Sequence, residues 1–489
     1  MTASSHSASD SGADSISSLL ARHGQSHLLA FEDRLSAAER RRLREQIEHV
    51  NFVELDRLIQ ELVLQPGTSA LPPSLAPAAY YPAQHTDASR PWRAERFREA
   101  GEDMIRSGKV AAFTVAGGQG TRLGWNGPKG TFPATVVTGK PLFRVFAEQL
   151  LAASRRYGTT IPWYIMTSPA NDADTRAFFV DNNHFGLAPA DVFMFPQGVM
   201  PAIGLDGKIL LETPGSIALS PDGHGGSFRA LAGSGAIDDM AARGIEVISY
   251  FQVDNPLVRI VDPVFLGLHA TAPDSSAEMS SKMVAKVGPE EKVGVFCVVD
   301  GRTAVVEYSD LPKALAEERQ PDGRLRFLAG SIAIHAIGVE FVQRLTADPD
   351  RFGLPFHRAE KKVACIDPRT GEAMQPERPN AVKLETFVFD ALPLARSSVV
   401  LETRRSEEFA PIKNAEGVDS PASSHELQSD RAGAWLEQAG VRVPRRADGH
   451  VDARLEISPL TALSPEELLD PERRSELPSA IRPGQELAI

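Results

Sequence analysis

Cysteine is nearly absent: Cys297 and Cys365 are the two in 489 residues. Two thiols cannot form the disulfide framework of a small secreted domain, and they lack the paired spacing of a structural zinc site. They read as reduced thiols of a cytoplasmic protein. Basic excess is lacking too, since 52 Lys and Arg stand against 64 Asp and Glu for a formal net charge of −12. Such a chain is not built to grip nucleic acid or an anionic membrane, so any phosphate site must be local. Long apolar runs are missing as well: Phe327 to Glu340 falls short of the roughly 20 residues that span a bilayer. The opening MTASSHSASDSGADS has neither the basic start nor the apolar core of an export signal, and residues 1–15 are expected to form a disordered tail.

What is present is ordinary globular composition, 42% hydrophobic and 24% charged, in a chain long enough for two or three domains. Leu and Ile recur at helical spacing from Phe31 to His49 and from Phe52 to Leu64, so residues 16–100 read as a helical segment ending in a Pro- and Ala-rich connector, Pro66 to Pro91. From Val110 the order changes to strand VAAFTVA, glycine loop, helix PLFRVFAEQLLAASRRYG and strand WYIMTS, which implies a parallel sheet. Further strands are expected at Asp191 to Gln197, Glu246 to Asp254 and Lys292 to Gly301. Residues 101–400 are therefore assigned to an α/β, doubly wound (Rossmann-like) domain. Residues 401–489, with a polar stretch from Asn414 to Ser429 and then a short helix, form a C-terminal segment with a small β domain.

The sharpest local signal is Gly117-Gly118-Gln119-Gly120-Thr121-Arg122-Leu123-Gly124 after a buried strand, followed by Pro128-Lys129-Gly130. Glycines let a backbone approach a ligand closely and expose N–H groups to phosphate oxygens, and Arg122 and Lys129 add fixed positive charge. A tight strand-to-helix turn demands the same residues, so the loop alone does not decide. The Walker pattern needs Gly-Lys-Ser/Thr where this chain has Arg122-Leu123-Gly124, which disfavours a P-loop ATPase. A dehydrogenase is disfavoured too, because Ala134 to Leu142 lacks the acid that would hold a ribose. A second cluster, Ser220-Pro221-Asp222-Gly223-His224-Gly225-Gly226-Ser227, offers either an anion or sugar nest or a surface turn. Asp254, leaving the strand EVISYFQVD, is placed either for Mg²⁺ on a bound triphosphate or in an Asp-Asn-Pro turn.

Taken in order, AGGQGTRLG, NGPKG, PWYIMTS, FPQGVMPAI, SPDGHGG, QVDNPLVRIVDP, VGVFCVVDG, FLAGSIAIH, KLETFVFD, FAPIKN and LEISPL resemble the eukaryotic-type UDP-sugar pyrophosphorylases (UDPGP type 1), in particular the branch acting on N-acetylglucosamine 1-phosphate. The resemblance spans roughly residues 100 to 465. It implies a nucleotidyltransferase core of the GT-A-like kind, UTP and a sugar 1-phosphate as substrates, UDP-sugar and pyrophosphate as products, and Mg²⁺ as cofactor. By the same resemblance Ala116, Gly117, Gly118, Gly120, Gln197, Gly223 and Asp254 line the nucleotide. Arg122, Lys129 and Lys413 are the catalytic cations, and Asp254 is the metal ligand. His224, Gly294, Glu307 and Ser331, with Gly223 again, fall where the family binds the sugar. Two positions depart from the N-acetylhexosamine pattern: His224 and Ser331 stand where those enzymes carry Asn, and a His at the first position is similar to the glucose-specific and broad-specificity relatives. A binding protein that keeps the fold without turnover is the competing class, and retention of all four of Arg122, Lys129, Asp254 and Lys413 speaks against it.

Overall fold

The computed structural model describes residues 10–65, 74–348 and 353–489. The chain divides into two compact units: Met1–Ala70 with Gly198–Gly226 and Gly353–Val388, and Leu71–Gln197 with Ser227–Phe352 and Phe389–Ile489. The units do not follow a linear division at residues 100 and 400. Excursions that leave a sheet and return belong with whatever core they bury against, and periodicity along the chain does not reveal that partner.

In the first unit, Leu28, Leu43, Ile47, Leu55 and Ile59 pack with Ile203, Ile209, Ile217, Val382 and Leu384. The expected helices appear as Ala37–Glu48 and Phe52–Leu58, the latter continuing as a π-turn over Ile59–Leu64. Of the expected disordered tail, residues 10–15 are helical. A helix occupies Asp10–Arg22, because Ile16 and Leu20 are buried one turn apart and propagating a helix back from anchored residues costs little compared with nucleating one. Residues 1–9 lie outside the described residues, as do 66–73 of the Pro-rich connector; beyond them Ala76–Pro77 pairs with Cys297 and Val298.

The second unit is built on a ten-stranded sheet. Four strands run parallel in the order Val247–Gln252, Val110–Val115, Trp163–Thr167 and Val192–Pro196. The chain steps from 110–115 outward to 163–167 and 192–196, then returns to the opposite side of 110–115, so the winding reverses between 110–115 and 247–252. Val110–Phe113 and Trp163–Met166 are buried on both faces, as a sheet covered by helices requires. Ala329–Gly338 joins antiparallel, and opposite it the register shifts between Ser281 and Met283. That bulge accounts for the left-handed backbone of Ala333 (φ 54°).

Helices Ala94–Arg106 and Pro263–Thr271 cross where each presents a glycine. A Cβ on Gly101 would stand 1.9 Å from the carbonyl oxygen of Pro263, and one on Gly267 would stand 1.8 Å from that of Phe97. Alanine is favoured over glycine by about 1 kcal/mol in an open helix, yet Gly267→Ala is expected to destabilise the protein by about 2–3 kcal/mol through overpacking. A urea midpoint at or above wild type would contradict that contact.

The C-terminal helix is longer than expected, Pro421–Gln438, and begins inside the polar stretch. Ser420 caps it: its Oγ accepts from Ser423 N–H at 3.2 Å while Ser423 Oγ accepts from Ser420 N–H at 2.9 Å. Trp435 and Leu436 then bury against Val451 and Leu455, beside a parallel pair of strands, Ala453–Glu456 and Gln485–Ala488.

Candidate active site

The register of two neighbouring strands builds the site. Gln252 pairs with Val115, so Asp254 and Gly117 each lie two residues past the carboxyl ends of adjacent parallel strands, at the point where the winding reverses. Ligands of open α/β sheets bind there. Ala116 is buried and its N–H donates to Met166 O at 2.8 Å. Gly117 comes so close to Gln197 that a Cβ would sit 2.4 Å from its amide oxygen, which joins two of the expected nucleotide residues. Gly120 N–H donates to Gly127 O at 2.9 Å, and Lys129 N–H to Gly118 O at 3.0 Å, folding the loop back on itself. The Lys129 ammonium then lies 3.7 Å from the Asp254 carboxylate, with both side chains about 15% exposed (15% and 14%). Arg122 is exposed on the turn Thr121–Leu123, outside that pairing.

Lys413 comes to the same place by backbone. Ile412 N–H donates to Asp254 O at 2.8 Å, tying the FAPIKN segment to the residue expected to hold the metal. Beneath this junction Asn255, buried, accepts from Ala410 N–H at 3.1 Å and donates through Nδ2 to Glu408 O at 2.7 Å. Glu408 in turn accepts from the Lys282 ammonium at 2.5 Å, and Lys282 also donates to Asp262 at 2.7 Å. Burial works to raise the Asp262 carboxyl, but Lys282 and Arg259 outweigh it and hold Asp262 below the usual carboxylate range.

Sequence reasoning missed Asn171, Lys282 and Glu408. Asn171 Nδ2 braces the glycine loop by donating to Ala116 O at 3.0 Å and Gly118 O at 3.3 Å. Its local signal was a helix start and nothing more. Lys282 is the one charge in the strand Met279–Ala285, buried up to Val284, and a lysine there needs a buried acid, a signal that could have been read.

Of the sugar candidates, three converge in the second unit. Ser331 N–H donates to Gly294 O at 2.8 Å, and the Glu307 carboxylate lies 3.3 Å from where a Cβ of Gly294 would be. Gly223 and His224 belong to the first unit. There burial, helped by the charge of His357, pushes the His224 pKa down to about 4, so the ring is neutral at pH 7. Val388 N–H donates to its Nδ1 at 3.1 Å, leaving the ring proton on Nε2, and the ring stacks 5.2 Å from that of Phe387.

A glycine loop, a lysine and an acid stand on adjoining strand ends at the reversal of a doubly wound sheet, where α/β proteins bind nucleotides. Residues 87–429 match the family described as UTP--glucose-1-phosphate uridylyltransferase. The UDP-N-acetylhexosamine pyrophosphorylase-like protein 1 of Xenopus tropicalis is 37% identical over 467 residues, 90% of this chain and 90% of that protein. UDP-N-acetylglucosamine diphosphorylase 2 of Arabidopsis thaliana is 36% identical over 468 residues, 91% and 89% of the two chains. The crystal structure of the uridine diphosphate N-acetylglucosamine pyrophosphorylase from Trypanosoma brucei, in complex with inhibitor, aligns with a TM-score of 0.78 at 25% identity, covering 99% of each chain. The chain belongs to this uridylyltransferase family, the UDP-sugar pyrophosphorylases. No helix among the described residues is long and apolar enough to cross a membrane.

Proposed function

We propose that this protein transfers the uridylyl group of UTP to N-acetylglucosamine 1-phosphate in the cytoplasm. The observation that carries the reading is the Lys129–Asp254 pair at the sheet reversal, with Ile412, next to Lys413, bonded to Asp254 O. In the reaction a phosphate oxygen of the sugar 1-phosphate attacks the α-phosphorus of UTP, and the bond to the β-phosphate breaks to release pyrophosphate. The attacking phosphate, with a second pKa near 6, is already an anion, so no general base has to be supplied. The protein's work is alignment and charge: the loop from Ala116 to Gly120 and Gln197 hold the nucleotide, and Arg122, Lys129 and Lys413 take the phosphate charge.

Among the described residues no three His, Cys, Asp or Glu side chains gather as a ligand set. A lone Asp254 fits a hard cation that keeps most of its shell as water and substrate phosphate, the habit of Mg²⁺. Bound there, Mg²⁺ supplies charge neutralisation on the triphosphate. Gly294, Glu307 and Ser331 bind the sugar, and His224 stands where the N-acetylhexosamine pattern has Asn.

The test is pyrophosphate release from UTP with N-acetylglucosamine, N-acetylgalactosamine, glucose and galactose 1-phosphates in turn. N-acetylglucosamine 1-phosphate is expected to exceed glucose 1-phosphate about tenfold or more in kcat/KM, the span of one hydrogen bond to the acetamido group. A preference for glucose or galactose would instead make His224 and Ser331 the determinants of a glucose-type or broad enzyme. Silence with all four would favour the binding-protein reading.

A further inference from the structure

The segment Lys413–Asp419 closes on itself. The carbonyl of Asp419 accepts from Lys413 N–H at 2.6 Å and from Asn414 N–H at 3.0 Å, and Asn414 Nδ2 donates to Val418 O at 2.8 Å. To do this Asp419 takes a left-handed backbone, φ 57°, which a non-glycine residue adopts at some cost. The conformation brings its carboxylate back to 3.7 Å from the Lys413 ammonium. On another side the ring of Phe409 lies 5.6 Å from the same ammonium. Burial raises the Asp419 carboxyl above its ordinary range, Lys413 opposes that and Asp254 adds to it, so the three charges sense one another.

A lysine head left alone samples many rotamers, and fixing such a side chain is among the larger entropic costs of ordering a site. A turn needs only the backbone of residue 419, and Gly or Asn would serve it as well or better. The choice of Asp at a left-handed position, with its acid group aimed at Lys413, is unexplained by the turn. We propose that Asp419 is a positioning residue that holds the Lys413 ammonium toward the Asp254 site until substrate phosphates take it over. The proposal rests on the reading of Lys413 as a catalytic cation.

The experiment is a double-mutant cycle on the full chain, reading kcat and KM for UTP. Asp419→Asn and Asp419→Gly both keep the left-handed turn and remove the charge, so both are expected to lower kcat about tenfold with KM for UTP changed less than twofold. Asp419→Glu is expected to recover part of the loss. In the Lys413→Ala background, Asp419→Asn should add no further loss, because nothing remains to be positioned. Wild-type kcat in both Asp419→Asn and Asp419→Gly would overturn the proposal, as would a full tenfold loss retained on top of Lys413→Ala. A fully active Lys413→Ala would overturn the catalytic reading of Lys413 itself, whereas an impaired Lys413→Ala with normal Asp419 variants would sink the positioning role alone. Should Asp419→Gly melt well below wild type, Asp419→Asn, which differs by one atom, carries the comparison.

Discussion

Lys129→Ala is expected to slow uridylyl transfer about 10²- to 10³-fold, the range found when a single preorganised donor is removed from a developing oxyanion. Two features of the site support a loss of that size. The side chain is 15% exposed, so its field is weakly screened, and its backbone is fixed by the bond from the Lys129 N–H to Gly118 O at 3.0 Å. Truncation leaves that backbone bond in place, so folding should survive. The loss belongs in kcat more than in KM if the cation acts as charge moves onto the leaving pyrophosphate rather than merely gripping UTP. Steady-state kinetics on a folded variant decides: turnover within threefold of wild type would remove Lys129 from the chemistry.

The second large effect is on stability. Lys282→Met should cost about 3–5 kcal/mol, because it leaves two carboxylates, Asp262 and Glu408, buried without their shared cation. The pH dependence gives the sign. With Lys282 present, the Asp262 pKa lies below its unfolded value, so its contribution is present above the unfolded carboxylate pKa and is lost as pH falls toward the folded one. Without Lys282, Arg259 is left to oppose burial at Asp262, the folded value of that acid rises, and proton uptake there favours the folded state as pH falls. The gap between wild type and variant should therefore narrow from pH 7 to pH 5. Urea denaturation at both values measures it, and a gap that stays constant would mean that lost packing, not lost charge, sets the cost.

The parallel core was legible because its strands are largely apolar runs bounded by turn residues. VAAFTVA, WYIMTS and EVISYFQVD needed no partner information to be read as buried strands. The pairing of Asp254 with Gly117 was not legible, since adjacency of strands 110–115 and 247–252 is a property of winding, and no periodicity along the chain encodes it. The same holds for Asn255, whose place in an Asp-Asn-Pro turn gave no hint that it would bridge to Glu408 and Ala410. The longer C-terminal helix was hidden for a different reason. Its polar first turns contain few apolar residues, and the Ser420 cap with Pro421 behind it outweighed that pattern.

The register that sets Gly117 beside Asp254 bears on how such a chain can change length. Between Val115 and Val247 the chain makes a long excursion, part of which, Gly198–Gly226, belongs to the first unit. Residues gained or lost at an exposed turn of that excursion, away from the glycine loop and from strands 163–167 and 192–196, leave both strand ends in place. A single residue gained within Val247–Gln252 would turn the Asp254 side chain to the opposite face of the sheet. Insertions should therefore accumulate at such turns and be excluded from Val110–Val115 and Val247–Gln252.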